Sequence, residues 1–247
     1  MKIALIGYGK MGKAIEEVAL EKGHEIVLKI DVQNNEDFTK ENLQKADVAI
    51  EFTGPHSAYE NVKKCIQSGV PVVSGSTGWL EKWNEISALC DTNNGSLVYS
   101  SNYSIGVNLF WKITQTAAKL ISNYDYQVHI DEIHHTQKLD APSGTAITTA
   151  ELILQEMRSL SSWTNEIVTK DQLNSRNNSS NSELLIRSVR EEQVPGTHTV
   201  SFENEIDQIS VSHIAHNRKG FAAGAIQAAK FIINKKGIFN MNDLLSL

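Results

Sequence analysis

Lys2-Ile3-Ala4-Leu5-Ile6 followed by Gly7-Tyr8-Gly9-Lys10-Met11-Gly12 is an uninterrupted apolar run closed by a G-x-G-x-x-G loop. An apolar run of this length suits a strand buried on both faces of a parallel sheet. From Lys10 to Lys22 the apolar residues Met11, Ala14, Ile15, Val18 and Ala19 fall on one helical face, and Gly23 ends the helix. Gly7 permits the tight turn, Gly9 lets a pyrophosphate approach the backbone, and Gly12 lets helix and strand pack closely, with the helix start facing the phosphates. The whole loop, Gly7 to Gly12, is therefore a candidate dinucleotide cradle. Working outward, the same alternation returns as strand 25–30, strand 47–52, helix 57–67, strand 70–74, helix 80–89 and strand 97–100. Short apolar strands alternating with amphipathic helices predict an α/β fold, a Rossmann-like doubly wound parallel sheet. Ligands of such sheets sit beyond the carboxyl ends of the strands, where Gly75-Ser76-Thr77 and Ser101-Asn102-Tyr103 fall. Asp31 closes the second strand, placed to accept hydrogen bonds from an adenosine ribose, and Val32 follows it. Without an arginine beside Asp31 to neutralise a 2′-phosphate, NADH is slightly favoured over NADPH.

Composition narrows the partners. The 247 residues carry a formal net charge of −6 with 40% hydrophobic and 21% charged residues, an ordinary globule without a basic footprint. Nucleic acid and anionic membrane surfaces are poor partners for such a chain, and a small metabolite is a better one. No run approaches the roughly 18 apolar residues of a membrane span. The chain enters its first strand directly, without the charged and apolar regions of a secretory leader, so a cytoplasmic location is expected. Cys65 and Cys90 both lie in helical segments, so neither a disulfide framework nor a four-ligand zinc site is expected.

The second half changes pattern. A helical periodicity over 105–121 leads into a strand-like alternation over 124–133. Residues 184–189, 198–202 and 208–213 read as antiparallel strands, with Val194-Pro195-Gly196 joining the first two, and the Asn/Ser-rich run 174–182 reads as a mobile loop. The last periodic helix, 220–233, is rich in small residues and is placed back against the first sheet. The predicted organisation is a nucleotide-binding domain, 1–104 plus 215–247, with an inserted α+β domain for substrate and oligomerisation, 105–214.

The densest polar segment is Glu132-Ile133-His134-His135-Thr136-Gln137-Lys138-Leu139-Asp140-Ala141-Pro142-Ser143-Gly144-Thr145-Ala146. Histidines capable of proton transfer near neutral pH are followed by a lysine and by Ser143-Gly144-Thr145, which opens a helix whose free N–H groups attract anions. Together these describe a pocket that holds an anionic substrate and protonates it during hydride transfer. Adjacent His134 and His135 would point to opposite sides of an extended chain, so no metal site is expected. His213, His216, Arg218 and Lys219 are either solvated charge or contacts at the return to the first domain.

Residues 132–146 resemble the segment E-x-H-H-x-x-K-x-D-A-P-S-G-T-A of the dihydrodipicolinate reductases at every fixed position. The resemblance extends to Gly7–Gly12, Gly75–Gly78, Ser101–Asn108, and Ser188-Val189-Arg190 followed by Gly196–Thr199. It implies NAD(P)H-dependent reduction of 4-hydroxy-tetrahydrodipicolinate, a dicarboxylate, to tetrahydrodipicolinate in diaminopimelate and lysine biosynthesis. His134 would be the proton donor and acceptor, Lys138 a second donor and carboxylate partner. Substrate would meet His135, Ser143, Gly144 and Thr145, while Gly75, Ser76, Thr77 and Ser101, Asn102, Tyr103, Ser104 would border the nicotinamide and its ribose. The family is usually homotetrameric. A reductase of another small amino dicarboxylate, or a nicotinamide-sensing protein without catalysis, are the alternatives.

Overall fold

The structure, a computed structural model, describes residues 1–174, 182–217 and 219–247; residues 175–181, most of the expected mobile loop, and Arg218 lie outside that description. In chain order the elements are β1 (Lys2–Ile6), α1 (Lys10–Glu21), β2 (Glu25–Ile30), α2 (Lys40–Leu43), β3 (Val48–Glu51), α3 (Pro55–Gln67), β4 (Val72–Ser74), α4 (Trp83–Thr92), β5 (Ser96–Tyr99), α5 (Ile105–Ile121) and β6 (Gln127–His134). They continue as α6 (Gly144–Glu156), β7 (Ser162–Ile167), β8 (Glu183–Arg190), β9 (Gly196–Glu203), β10 (Gln208–Ala215), α7 (Lys219–Ile232), β11 (Gly237–Phe239) and α8 (Met241–Leu245). Two compact units result, Met1–Ile105 with Lys219–Leu247, and Gly106–Arg218. The second break falls later than the composition suggested because β10 pairs with β9 as far as Ala215 opposite Gly196.

Among the described residues the first unit holds a six-stranded sheet in the order β11-β5-β4-β3-β1-β2, and every pairing in it is parallel. This is the Rossmann-like doubly wound architecture. One face, with Ile3, Leu5, Val48, Ile50, Val73 and Val98, packs under α1 and α7; the other, with Ala4, Ile6, Ala49 and Val72, packs under α3 and α4. The small residues of α7 explain its fit: a Cβ on Gly224 would lie 1.7 Å from the Tyr103 carbonyl oxygen. Short β11 and α8 at the carboxyl end have no counterpart in the sequence reading.

The second unit is built on a five-stranded mixed sheet in the order β10-β9-β6-β8-β7. Here the expected antiparallel run needs correction. β9 and β10 do form an antiparallel pair, but β6 lies between β8 and β9, and β8 runs parallel to β6 on one side and to β7 on the other. One sheet face is apolar at Val128, Ile130, Leu184, Ile186, Val200 and Phe202 and is covered by Phe110, Ala118, Ala146, Ala150 and Ile153 of α5 and α6. Among the described residues no helix is long and apolar enough to cross a membrane.

Candidate active site

In the first unit the G-x-G-x-x-G loop joins the end of β1 to α1. Gly7 has φ +97°, and a side chain there would collide with the Phe52 carbonyl oxygen at 2.2 Å, so only glycine makes this turn. At the other end of the loop Gly9 caps α1 without any side-chain hydrogen bond, and a Cβ on it would meet nothing within 4 Å. The helix start thus has no side-chain cap and the space beside Gly9 is open, two features that suit an anion site. Tyr8 donates its hydroxyl proton to Glu16, whose carboxylate also takes Lys29 at 3.3 Å, and the lysine ammonium lies 4.9 Å from the Tyr8 ring centre. Lys10 and Met11 begin α1. Asp31 directly follows β2 and accepts from the Gln33 N–H at 2.7 Å.

Beyond β3 and β4 sits a carboxylate the sequence reading passed over. Glu51 is fully buried and accepts from Ser74 Oγ at 2.7 Å, Ser76 Oγ at 2.8 Å and Thr53 N at 3.0 Å, and from the Thr53 hydroxyl. It fixes the loops that carry Thr53 and Gly75-Ser76-Thr77. Three residues expected to border a cofactor turn out to be internal, Ser76, held by Glu51, being the first. Tyr103 is 1% exposed, with its hydroxyl donating to the carbonyls of Ser74 and Val98, and Ser104 is buried. Ser101 is exposed and Asn102 half-buried, and the Asn102 side-chain oxygen accepts from Ser104 N at 2.9 Å.

The second unit gathers a denser group. Alternation along β6 sends Val128, Ile130, Glu132 and His134 to one face. The parallel register with β8 sets Ser188 opposite Glu132 and Arg190 opposite His134, and the antiparallel register with β9 sets His198 opposite Glu132. Glu132 is fully buried; its Oε2 lies 3.5 Å from His134 Nδ1 and 3.7 Å from His198 Nε2. The two imidazoles are 5.0 Å apart between centres, and a Cβ on Gly196 would approach His134 Nε2 to 3.1 Å. Burial pushes the His134 imidazole well below its ordinary pKa; the Glu132 charge opposes this while Lys138 and Arg190 reinforce it. Burial, aided by His134 and His213, takes His198 down to about 3. Glu132, His134 and His198 are of metal-ligand type with donor atoms within 4.8 Å of one another, but the carboxylate is already engaged by Ser143, Ser188 and the Arg190 guanidinium.

After β6 the chain turns through Lys138 and Asp140. The Lys138 ammonium donates to both Asp140 oxygens, at 2.8 and 2.7 Å, while Arg190 holds the carbonyls of Lys138 at 3.2 Å and Asp140 at 2.6 Å. Ser143 then caps α6, accepting from Ala146 N at 3.2 Å. Ser143 was expected among the substrate contacts, yet it is 2% exposed with its N–H on Glu132 and its hydroxyl 3.0 Å from His198 Nε2. It builds the helix start. Gly144 is exposed, and a Cβ on it would meet nothing within 4 Å, while Thr145 and His135 are half-buried.

Residues 1–103 match the profile described as "Dihydrodipicolinate reductase, N-terminus", and residues 106–245 the one described as "Dihydrodipicolinate reductase, C-terminus". The chain belongs to the dihydrodipicolinate reductase family. A 4-hydroxy-tetrahydrodipicolinate reductase of Christiangramia forsetii is 43% identical over all of this chain and 98% of its own length. One from Methanoculleus marisnigri is 34% identical over the full length of both chains. Among solved structures, a dipicolinate-bound dihydrodipicolinate reductase from a Paenisporosarcina species superposes with TM-score 0.77 at 25% identity, covering 97% of each chain. An amine dehydrogenase from Mycobacterium smegmatis, 13% identical with TM-score 0.62, shares the fold over 96% of this chain and 94% of its own. Within the dihydrodipicolinate reductase frame, the residues that sequence reasoning left without a role are Glu132, Arg190 and His198. Alternation along β6 sets Glu132 on the His134 face, while strand pairing alone brings in Arg190 and His198, whose one signal was their place in the family-like stretches at 188–190 and 196–199.

Proposed function

We propose that this chain catalyses the NAD(P)H-dependent reduction of 4-hydroxy-tetrahydrodipicolinate to tetrahydrodipicolinate, with loss of water, on the route to diaminopimelate and lysine. Membership of the reductase family supports the overall reaction. The observation that carries the chemistry is one cluster: His134 at a strand end, Lys138 in the turn after it, and the open start of α6.

The nicotinamide, when bound, supplies the hydride. The open start of α1 and the turn at Gly7 and Gly9 suit its pyrophosphate, Asp31 suits the adenosine ribose, and Gly75–Thr77 with Ser101–Asn102 suit the nicotinamide end. NADH is the favoured form, because Asp31 would repel a 2′-phosphate and Lys29, the nearest cation in sequence, is held by Glu16. Lys138 exchanges Asp140 for a substrate carboxylate, while the N–H groups at Gly144 and Thr145, with His135, hold the rest of the anion. His134 is neutral at pH 7 before substrate arrives. The negative charges of a dicarboxylate raise its proton affinity, so it takes up the proton it then delivers.

The test is oxidation of NADH and NADPH with substrate made in situ from pyruvate and aspartate semialdehyde by the preceding synthase. NADH should serve at least as well, and a preference for NADPH above about tenfold would overturn the cofactor assignment. His134→Ala should lower kcat by about 10²–10⁴-fold. Lys138→Ala, which strips a charge-assisted contact of about 2–5 kcal/mol, should lower kcat/KM by roughly 30-fold to several-thousand-fold. NADH affinity, read by fluorescence, should hardly change in either; wild-type kcat/KM in both variants would remove the chemical basis of the proposal. For the quaternary state we propose the family's homotetramer: the sheet face away from α5 and α6 carries Thr197, Thr199, Ser212 and a 61% exposed Ile214, and light scattering decides.

A further inference from the structure

A carboxylate withdrawn from water needs a reason, because its hydration must be replaced by protein donors and cations. Glu132 is 0% exposed, and its partners come from four elements. The Ser143 N–H, at the cap of α6, reaches both oxygens at 3.1 and 3.0 Å; Ser188 Oγ of β8 donates to Oε1 at 2.7 Å; Arg190 Nη1 of β8 stands 3.5 Å from the same oxygen. The other oxygen faces His134 of its own strand and His198 of β9. His134 Nδ1 is buried and makes no hydrogen bond, with this oxygen 3.5 Å away as the nearest anion. One charge therefore lies beside the imidazole of His134 and holds the cap of α6.

We propose that Glu132 is a positioning residue for the reaction: it anchors the start of α6, where a substrate carboxylate binds, and its charge holds the proton on His134. This rests on the roles given above to His134 and to the start of α6. The charged and titratable groups facing His134 are Glu132 from β6, Lys138 and Asp140 from the following turn, Arg190 from β8 and His198 from β9, with His213 of β10 beyond His198. Of these only Glu132 and Asp140 favour the protonated ring, and Asp140, at 60% exposed, is screened by water where Glu132 is not. Substrate binding removes that competitor's partner but leaves Glu132 in place. Anchoring and proton affinity are separable, because a glutamine can still accept the Ser143 N–H while carrying no charge.

The experiment uses the full-length enzyme and Glu132→Gln, Glu132→Ala and Ser188→Ala. His134 is titrated by NMR of labelled imidazole in the complex with pyridine-2,6-dicarboxylate, and steady-state kinetics are run in parallel. For Glu132→Gln the His134 midpoint should fall by about one pH unit and kcat by at least about tenfold, with KM for substrate within about threefold of wild type. Glu132→Ala, which also releases Ser143, should add a rise in KM of about tenfold. Ser188→Ala strips a donor from the carboxylate and leaves its charge less quenched, so the His134 midpoint should move upward, a sign that a merely structural role does not produce. NADH affinity and near-ultraviolet circular dichroism, which reads Trp111 and Trp163 of the second unit, establish that the variants are folded. An unmoved His134 midpoint in both Glu132→Gln and Ser188→Ala overturns the proposal. A midpoint that falls in Glu132→Gln while kcat stays at the wild-type value supports the electrostatic coupling and instead overturns the assignment of His134 as proton donor.

Discussion

Lys138 meets its own chain before it meets any substrate. Its ammonium sits on both oxygens of Asp140, and that carboxylate is 60% exposed, so the pair is a wet one worth about 0–1 kcal/mol. In the proposed binding mode a substrate carboxylate takes Lys138 from Asp140, and the cost of that exchange is no larger. Asp140→Asn should therefore lower KM for substrate by up to about fivefold while leaving kcat within twofold, since Arg190 still holds the turn through the carbonyls at 138 and 140. Steady-state kinetics at low ionic strength measure this, and a raised KM would mean that Asp140 orients Lys138 instead of competing for it. At this scale the sequence named the candidates. Residue types and spacing in 132–146 pointed to proton transfer and anion binding without any structure. What they could not show is that Ser143 is buried behind the helix start: a cap and a ligand contact use the same residue type, and only the burial of its hydroxyl against His198 separates them.

Elements supplied what the segment lacked. Parallel pairing of β6 with β8 puts Arg190 beside His134, and antiparallel pairing with β9 puts His198 beside Glu132. Alternation in a sequence reveals which residues share a face, but it does not reveal which strand lies next to which, so three apolar runs read as a meander when β6 in fact divides them. The same packing makes the second sheet sensitive to acid. Burial is the largest cause lowering the pKa of His198, to about 3, and likewise of His134, His129 and His213. Each folded value lies below the unfolded one of about 6.5, so between the two the unfolded chain binds more protons. Stability from these rings is complete above about pH 6.5 and is lost as the pH falls towards the folded values, by up to about 1.4 kcal/mol per unit for each. Urea midpoints should drop from pH 7 to pH 5, and His198→Gln should flatten that slope whatever it does to the level at pH 7. A second contrast lies along α7. Gly224→Ala would drive a methyl group into the Tyr103 carbonyl and should cost about 1–3 kcal/mol, whereas Gly220→Ala meets only Ser104 Oγ at 3.7 Å and should be neutral or slightly stabilising. Equal urea midpoints for the two would contradict the close approach.

On the scale of the whole molecule, the first unit is assembled from both ends of the chain. The small-residue pattern of α7 was sufficient to send it back to the first sheet, where Lys219 pairs with Glu17 at 2.7 Å and Glu21 at 3.1 Å of α1. β11 was not legible, because three residues carry no periodicity and their strand character comes from pairing with β5. A ribosome making this protein at about 5–20 residues per second must synthesise all of the second unit before α7 emerges, a delay of roughly 6–25 s. Throughout that interval the apolar face of Ile3, Leu5, Val48, Val73 and Val98 lacks the cover that Ala222, Ala225, Ala229 and Ile232 will give it. Nascent chains stalled at residue 217 should accordingly be cut readily by protease within residues 1–105, and chains released at full length should not; equal resistance would show that the first sheet closes without its last helix. For as long as translation of the second unit lasts, β1 and α1 wait for α7, and the glycine turn between them reaches its final packing only after a unit to which it does not belong has been made.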